Sequence, residues 1–317
     1  MNIQRIALIG GSGFVGRHIA QRLRNRGYQC RIVTRHAHRH AELRTVAEVV
    51  EADAFDRAGL TIALQGCEAV VHLVGVLNDG GKDRSFRRMH VELVENVVSA
   101  CHDAKVRRLL HMSALNADHA SGASQYLRSK GEGENRAHTL GKPGIAVTSF
   151  RPSVIFGADD SFLNRFATLL KIPGPFPLAC PDARLSPVFI DDVAAAFANA
   201  LENRETFGKH YELCGPRTYT LKQLVRFVAD HTGHHHKFII PLPDWASRMQ
   251  ASILQYFPGK PFTPDNYLSL GTPSVCREDG LAALGVTPTS LENAGARILT
   301  GADKNQRRSL LRRVSQR

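Results

Sequence analysis

The chain is 317 residues long and 43% hydrophobic, which is enough for one large core or two smaller ones. No stretch approaches the ~18 consecutive apolar residues of a transmembrane helix. The N-terminus runs directly into an apolar segment, so we expect a first strand there rather than a signal peptide. The formal net charge is +12, of which residues 301–317 carry +5. No helix-turn-helix, zinc-finger or base-stacking motif accompanies this charge, which argues against nucleic acid as a partner.

Apolar strands alternate with amphipathic helices from the N-terminus to about residue 206. The predicted strands are, in chain order, R-I-A-L-I-G, C-R-I-V-T-R, A-E-V-V-E-A-D, A-V-V-H-L-V-G-V, R-L-L-H-M-S-A and V-T-S-F-R-P-S-V-I-F-G. The first helix carries Val15, Ile19 and Leu23 on one face and ends at Gly27. S-P-V-F-I-D-D-V-A predicts a short strand leading into a helix. The alternation predicts an α/β fold with a doubly wound parallel sheet.

Three glycines mark the turn between the first strand and the first helix. Gly10, Gly13 and Gly16 are spaced three residues apart. In this position the first permits a tight turn, the second lets the backbone approach a pyrophosphate, and the third packs helix against strand. The helix N-terminus presents free N–H groups to the anion. The pattern predicts a Rossmann-type dinucleotide site.

The end of the second strand normally distinguishes NAD from NADP, because an acid there binds the ribose 2′-hydroxyl and an arginine accommodates a 2′-phosphate. Here the chain has Arg35 and then Arg39, with no carboxylate before Glu42. We therefore expect NADP(H) to be preferred, with NAD(H) as the alternative if Arg35 only stacks on adenine. Asp53, which closes the third strand, is expected to meet the adenine edge or to cap its own loop.

Shorter, proline-rich elements after Phe207 predict a second, smaller C-terminal substrate domain. We expect residues 1–156 and 186–206 to form the dinucleotide-binding domain, 157–185 and 207–300 the substrate-side domain, and 301–317 a basic tail. Thr220 is a predicted helix N-cap. Trp245, Met249 and Ile253, four residues apart, are predicted to form a core or pocket wall, or to line a hydrophobic substrate channel.

The cysteines, clustered histidines and paired aspartates predict no metal site. The cysteines lack a C-x-x-C pair, so we expect six reduced thiols in a cytosolic protein. The histidines at 234–236 favour a solvated loop. Asp191 and Asp192 are explained by a helix N-cap and an acid in the first turn. The six cysteines are Cys30, Cys67, Cys101, Cys180, Cys214 and Cys276.

A serine, a tyrosine and a lysine complete the pattern. Ser113 ends the fifth strand, at the edge where open α/β sheets bind ligands, and Tyr126 and Lys130 lie four apart on one face of the next helix. Alone, Y-x-x-x-K is a weak motif. Together with the glycines it resembles the extended short-chain dehydrogenase/reductase superfamily. The resemblance implies that Tyr126 is the general acid/base, that Lys130 binds the nicotinamide ribose and lowers the tyrosine pKa, and that Ser113 orients a substrate carbonyl.

Longer phrases are similar to one atypical branch of that superfamily, which contains the nucleotide-binding accessory subunit of mitochondrial complex I and its bacterial relatives. These phrases are S-A-L-N-A-D, S-Q-Y-L-R-S-K-G-E-G-E, F-R-P-S-V-I-F-G-A-D-D-S-F-L-N-R-F-A and S-P-V-F-I-D-D-V-A. His90 stands where many extended members have an asparagine that helps a proton relay. The cofactor-binding residues expected from the pattern and the resemblance are Gly10, Ser12, Gly13, Phe14, Val15, Gly16, Arg35, Arg39, Asp53, Ala54, Leu73, Val74, Gly75 and Lys130.

Three function classes are consistent with these patterns and with the resemblance. The first is an NADPH-dependent oxidoreductase or epimerase acting on a small hydrophobic or carbonyl substrate, with a link to quinone metabolism. The second is a non-catalytic NADPH-binding subunit of a respiratory or ubiquinone-synthesis assembly. The third, a basic redox sensor on nucleic acid, is the weakest. We expect a cytoplasmic location. The basic tail is either a disordered segment or an attachment to the inner face of the membrane or to a respiratory complex.

Overall fold

The computed structural model describes residues 3–300, so the basic tail lies outside the described residues. The strands are β1 (Arg5–Ile9), β2 (Gln29–Thr34), β3 (Glu48–Glu51), β4 (Ala69–His72), β5 (Arg108–Met112), β6 (Ala146–Pro152), β7 (Ile155–Phe156), β8 (Phe176–Leu178), β9 (Arg184–Leu185), β10 (Val188–Phe189), β11 (His210–Leu213), β12 (Tyr219–Thr220) and β13 (Ile239–Pro241). The α-helices are α1 (Phe14–Asn25), α2 (Arg57–Leu64), α3 (Leu93–Asp103), α4 (Gln125–Leu140), α5 (Leu163–Leu169), α6 (Ile190–Ala200), α7 (Leu221–His231), α8 (Asp244–Leu254), α9 (Pro264–Leu270), α10 (Gly280–Ala283) and α11 (Leu291–Leu299).

The chain divides into two compact units. Unit 1 comprises the described residues up to Pro152, Asp191–Leu213 and Cys276–Thr287. Unit 2 comprises Ser153–Ile190, Cys214–Val275 and the described residues from Pro288. Residues 276–287 therefore group with the first unit, whereas the sequence analysis placed them in the second domain.

Unit 1 is built on a seven-stranded sheet with the order β11-β6-β5-β4-β1-β2-β3, in which every neighbouring pair is parallel. Its core is made mainly of the apolar strand residues and the inner faces of α2 and α3, with Val70, Val97 and Leu109 among its buried members. This confirms the predicted α/β class. The predicted sixth strand is split, because the chain leaves the sheet after Pro152 and β7 pairs instead with β10.

A buried arginine connects the amino-terminal ends of β5 and β6 to the end of α6. Arg108, at the start of β5, is fully buried. Its guanidinium donates hydrogen bonds to five neutral acceptors, and burial lowers its pKa to about 9. The acceptors are the carbonyls of Ala146, Ala200 and Leu201 and the hydroxyls of Thr148 and Thr206, at 2.8–3.0 Å.

Unit 2 has a second core of its own, around α7 and α11, with Leu224, Val228 and Leu291 at its centre. Thr220 caps α7 as predicted, in a capping box with Gln223. The predicted wall of Trp245, Met249 and Ile253 is not buried, since these side chains are 68%, 51% and 51% exposed. The prediction of a core stripe is therefore wrong.

Two further sequence-based predictions need correction. Cys214 and Cys276 are disulfide-bonded, so the expectation of six reduced thiols fails for these two. Helix α6 begins at Ile190, which puts both Asp191 and Asp192 in its first turn rather than at the cap. Asp191 accepts a hydrogen bond from His18 at 2.9 Å. Among residues 3–300 no cluster of side chains suits a metal ion, and no helix is long and apolar enough to cross a bilayer.

Candidate functional site

The glycine loop after β1 has the geometry that the spacing predicts. Gly10 has a φ of +82°, which favours glycine, and Gly13 donates its N–H to the Gly10 carbonyl at 3.1 Å. A Cβ on Gly16 would lie 2.5 Å from the Gly11 Cα, so only glycine lets α1 approach the strand end this closely. Helix α1 has neither a side-chain cap nor an acid in its first turn. Its first N–H groups are therefore left to bind an anion such as a pyrophosphate.

The other predicted residues of this turn lie at the start of α1. Ser12, Phe14 and Val15 are partly buried. The Ser12 carbonyl accepts a hydrogen bond from the Arg17 side chain at 2.9 Å. The backbone of this turn is thus held by its own helix, which suits a loop that must present N–H groups without rearranging.

The segment after β4, Leu73–Gly75, lies beside the glycine loop. The Leu73 N–H bonds to the Ile9 carbonyl at 2.9 Å, and a Cβ on Gly10 would lie 3.1 Å from Val74 Cγ2. A Cβ on Gly75 would be 3.5 Å from both His90 Nε2 and Lys130 Nζ. The segment therefore runs between the glycine loop and the side chains of His90 and Lys130.

The two arginines predicted to meet the adenosine end are exposed. Arg35 is the first residue after β2, and Arg39 lies in the following 3-10 helix (Ala37–Thr45). Glu51, at the end of the neighbouring β3, accepts the Ala37 N–H at 2.9 Å, so this carboxylate is engaged with the same loop.

Asp53 and Ala54 lie in the loop after β3. The Asp53 carboxylate accepts the Phe55 N–H at 3.0 Å, which is the loop-capping arrangement left open above. The Ala54 carbonyl accepts a hydrogen bond from the Asn96 side chain at 2.6 Å. Both residues are thus structural parts of a loop at the same sheet edge as Arg35.

Ser113 directly follows β5, and the Lys130 side chain reaches the last residue of that strand. Lys130 is 5% exposed, and its ammonium donates to the carbonyl of Met112, the residue before Ser113, at 2.7 Å. Burial lowers the pKa of Lys130 to about 8, and the nearby Glu134 carboxylate opposes that shift. The Ser113 hydroxyl is buried without a hydrogen-bond partner among the described residues. Buried hydroxyls without partners are rare, and this one fits a site that a ligand completes.

Tyr126 lies in the first turn of α4, one turn before Lys130. Ser124 caps the helix by accepting the Leu127 N–H at 3.1 Å. The tyrosine ring is edge-on to His90 and Phe86, with ring centroids 5.6 and 6.0 Å away. These contacts fix the direction of the phenol, which is half-buried.

His90 has a defined tautomer. Its Nε2 lies 3.0 Å from the Val76 backbone N–H and can only accept from it, so the proton of the neutral ring is on Nδ1. Nδ1 donates to Ser129 Oγ at 2.8 Å, and Ser129 donates to the Tyr126 carbonyl at 2.9 Å. Burial, together with the smaller effect of the Lys130 charge, lowers the pKa of His90 to about 2. His90 therefore joins the loop after β4 to the start of α4 as a neutral bridge.

The backbone around His90 explains why it can make these bonds. Residues Arg88–Glu92 form a π-helical turn before α3, a feature often found at functional sites. A Cβ on Gly133 would lie 1.9 Å from the His90 carbonyl oxygen, so α4 can approach only because it has glycine there. The sequence signal for this contact was the G-E-G run after Lys130.

The sequence analysis did not identify a buried pair of histidines, His72 and His111. His72 ends β4 and His111 faces it on β5, with Nδ1 atoms 3.1 Å apart and rings stacked at 5.2 Å. Burial lowers the pKa of His72 to about 3 and that of His111 well below its usual range. One neutral ring must donate to the other. The Lys130 charge also contributes to lowering the pKa values of both rings.

An ion pair anchors α4 to the sheet. Glu134, 3% exposed, accepts two hydrogen bonds from Arg151 on β6 at 2.9 Å. Removing Arg151 would leave a buried carboxylate, so this contact holds the helix of Tyr126 and Lys130 against β6.

A parallel sheet of this order, with a dinucleotide loop at β1 and a serine, tyrosine and lysine around the end of β5, defines a member of the extended short-chain dehydrogenase/reductase class. Residues 6–214 match the model of the NAD dependent epimerase/dehydratase family. The chain belongs to this family.

Three comparisons illustrate its neighbours. The chain is 31% identical over 309 residues to NADH dehydrogenase [ubiquinone] 1 alpha subcomplex subunit 9 of Rattus norvegicus, covering 92% of this chain and 78% of that protein. It is 29% identical over 221 residues to a (4-alkanoyl-5-oxo-2,5-dihydrofuran-3-yl)methyl phosphate reductase of Streptomyces griseus, covering 69% and 70%. The solved structure of an NADPH-dependent quinone oxidoreductase of Escherichia coli with NADPH superposes with a TM-score of 0.73 at 23% identity, covering 92% and 98%.

Proposed function

We propose that this protein is an NADP(H)-dependent oxidoreductase or epimerase acting on a small hydrophobic or carbonyl substrate, with a link to quinone metabolism. The observation that carries the proposal is the buried Ser113 hydroxyl, which has no hydrogen-bond partner within residues 3–300, next to the Met112 carbonyl that binds the Lys130 ammonium. If Ser113 and Lys130 served only packing, apolar side chains in their place would make the folded protein more stable.

The residues have distinct tasks in this proposal. Ser113 donates its hydroxyl proton in a hydrogen bond to the substrate carbonyl oxygen. Tyr126 transfers a proton to that oxygen during reduction, or removes one from the alcohol during oxidation. Lys130 binds the nicotinamide ribose. The cofactor, when bound, supplies or accepts the hydride.

Tyr126→Phe tests the catalytic role. The ring and its contacts with His90 and Phe86 are kept, so NADPH affinity should be unchanged while turnover falls by about 10²–10⁴-fold. Tyr28→Phe, at another half-buried tyrosine of unit 1, is the control. Normal turnover by Tyr126→Phe would exclude this residue as the acid/base.

The alternative function is a non-catalytic, NADPH-binding accessory subunit of a respiratory or ubiquinone-synthesis assembly. It is favoured by the complex I subunit to which the chain is 31% identical. Under this alternative the protein would co-purify with a membrane complex, and Tyr126→Phe would leave that assembly and NADPH binding intact. Turnover of a carbonyl or quinone substrate by the isolated wild-type chain separates the two functions.

The proposal also specifies the dinucleotide, which is NADP(H) in preference to NAD(H). Arg35 is exposed at the end of β2, and a guanidinium can bind a 2′-phosphate with paired, charge-assisted hydrogen bonds. Such bonds contribute about 1.5–3 kcal/mol, so Arg35→Ala should weaken NADPH binding roughly 10- to 150-fold and leave NADH binding nearly unchanged. Arg22→Ala, at an exposed arginine on α1, is the control. Equal loss of both cofactors would mean that Arg35 contacts the adenine and not the phosphate.

The basic tail is proposed to attach the protein peripherally to the inner face of a membrane or to a respiratory complex. Its support is charge, since residues 301–317 hold six Lys or Arg and one Asp. Each basic residue near an anionic surface contributes about 1 kcal/mol. Deleting 301–317 should reduce binding to anionic vesicles and leave the melting temperature unchanged. A large drop in melting temperature would contradict this role.

A further inference from the structure

Helix α8 in unit 2 presents its large apolar side chains outward. Trp245, Met249 and Ile253 are 68%, 51% and 51% exposed, and the row continues into Tyr256 and Phe257, at 85% and 54%. A helix on a protein surface normally turns its apolar face inward. We call these five residues the α8 row.

The inward face of α8 explains this orientation. Ala246, Ser247 and Ala251 are buried there, and their small side chains let the helix lie close to the rest of unit 2. Ser247 accepts the Cys180 N–H at 3.2 Å, and Gln250 donates to the Pro177 carbonyl at 3.3 Å. The helix is therefore held by polar contacts and small residues, and the α8 row stays exposed to solvent among the residues that the structure describes.

The flank of the helix is also fixed. Arg248 forms an ion pair with Asp244 at 3.1 Å and donates to the Tyr267 hydroxyl of α9 at 3.0 Å. The α8 row is therefore exposed on a fixed helix, and no rearrangement is needed to expose it.

Charge identifies the kind of surface that the row fits. The described residues of unit 2 contain ten Lys or Arg and seven Asp or Glu, a net +3. The sequence that follows them, 301–317, adds +5, so eight of the chain's twelve net charges belong to this part of the chain. Unit 2 therefore combines a net basic charge with an exposed row of Trp, Tyr, Phe, Met and Ile, and both features favour binding to the interface of an anionic bilayer.

We propose that the α8 row is a docking surface for an anionic lipid bilayer. Trp245 and Tyr256 would lie at headgroup level, where amphipathic rings are favoured, and Met249 and Ile253 would reach the acyl boundary. The proposal does not depend on the catalytic function, because no residue of the row belongs to unit 1.

Trp245 makes the proposal directly measurable, because it is the only tryptophan in the chain. Its emission should shift to the blue, and acrylamide quenching should fall, when the full-length protein meets vesicles containing phosphatidylglycerol. Vesicles of phosphatidylcholine alone should have a much smaller effect, and added salt should weaken the response. Vesicle binding without any change in Trp245 emission would overturn the proposal.

Variants separate the α8 row from the tail. Met249→Ser with Ile253→Ser should weaken vesicle binding at least about tenfold, whereas Ile62→Ser, at a 65% exposed apolar residue of α2, should not. A chain lacking 301–317 should bind more weakly but still show the Trp245 shift. If only the tail deletion reduced binding, the α8 row would not be the docking surface.

The remaining outcome concerns protein partners. Protection of Trp245 that rises with protein concentration in the absence of lipid, together with a dimer in sedimentation, would show that a second copy covers the row and would overturn the lipid proposal. Circular dichroism of the double variant must match the wild type. If it does not, Trp245→Phe, assayed by vesicle sedimentation and expected to weaken binding, replaces it.

Discussion

Lys130 should make the protein less stable, even though the proposed function requires it. Its ammonium is buried, and burial lowers its pKa from 10.5 to about 8. Between these two pH values the unfolded chain holds a proton that the folded chain does not. The free energy of unfolding therefore rises with pH across this window, and the full cost is present below pH 8.

Replacing Lys130 by methionine should remove that cost. A difference of 10.5 − 8, or 2.5 pKa units, at about 1.36 kcal/mol per unit corresponds to roughly 3 kcal/mol. The variant loses the hydrogen bond to the Met112 carbonyl, which costs about 1 kcal/mol. We therefore expect Lys130→Met to be more stable than the wild type by about 2 kcal/mol at pH 7, and slightly less stable near pH 10.5.

Urea unfolding followed by circular dichroism, at pH 7 and at pH 10.5, measures this difference. Lys209→Met, at an exposed lysine of the same unit, is the control and should show no such dependence. If Lys130→Met were destabilising by the same amount at both pH values, burial of the ammonium would not be what governs this site.

Three other changes have expected outcomes. Arg108→Lys should lower the free energy of unfolding by about 3 kcal/mol, because lysine cannot reach five acceptors, while the exposed Arg107→Lys should be neutral in the same urea titration. Gly133→Ala should lower the melting temperature sharply, because its Cβ would meet the His90 carbonyl at 1.9 Å, and Asn135→Ala on the exposed face of α4 should not. His90→Gln should cost about 2 kcal/mol at pH 7 and less below pH 6.5, because the unfolded wild-type chain there binds a proton that folded His90, with its pKa of about 2, does not.

The fold could be predicted because its signals are local. Gly10, Gly13 and Gly16 carry their meaning in their spacing, and the parallel sheet follows from apolar strands alternating with helices. The same holds for Tyr126 and Lys130, whose spacing places them on one face of α4.

The contacts that could not be predicted depend on how the strands pair and on which face of a helix is buried. His72 and His111 lie 39 residues apart and meet only because β4 and β5 pair at that level. The row from Trp245 to Ile253 has the period of a helix face, but periodicity does not say which face is inward. The small residues Ala246 and Ala251 decide it, since they allow the closer approach.

Because the burial of Lys130 is unfavourable in the free protein, its role in cofactor binding can be tested through stability. Ribose hydroxyls and a negatively charged dinucleotide would bring acceptors and charge near an ammonium that now has the Met112 carbonyl and the Glu134 charge. NADPH should therefore raise the melting temperature of the wild type more than that of Lys130→Met, even though the variant starts from the higher value at pH 7. The comparison uses thermal unfolding with and without saturating NADPH, with Lys209→Met as control. Equal shifts in all three proteins would mean that the cofactor does not contact Lys130, and the buried ammonium would then be a cost without a cofactor-binding role.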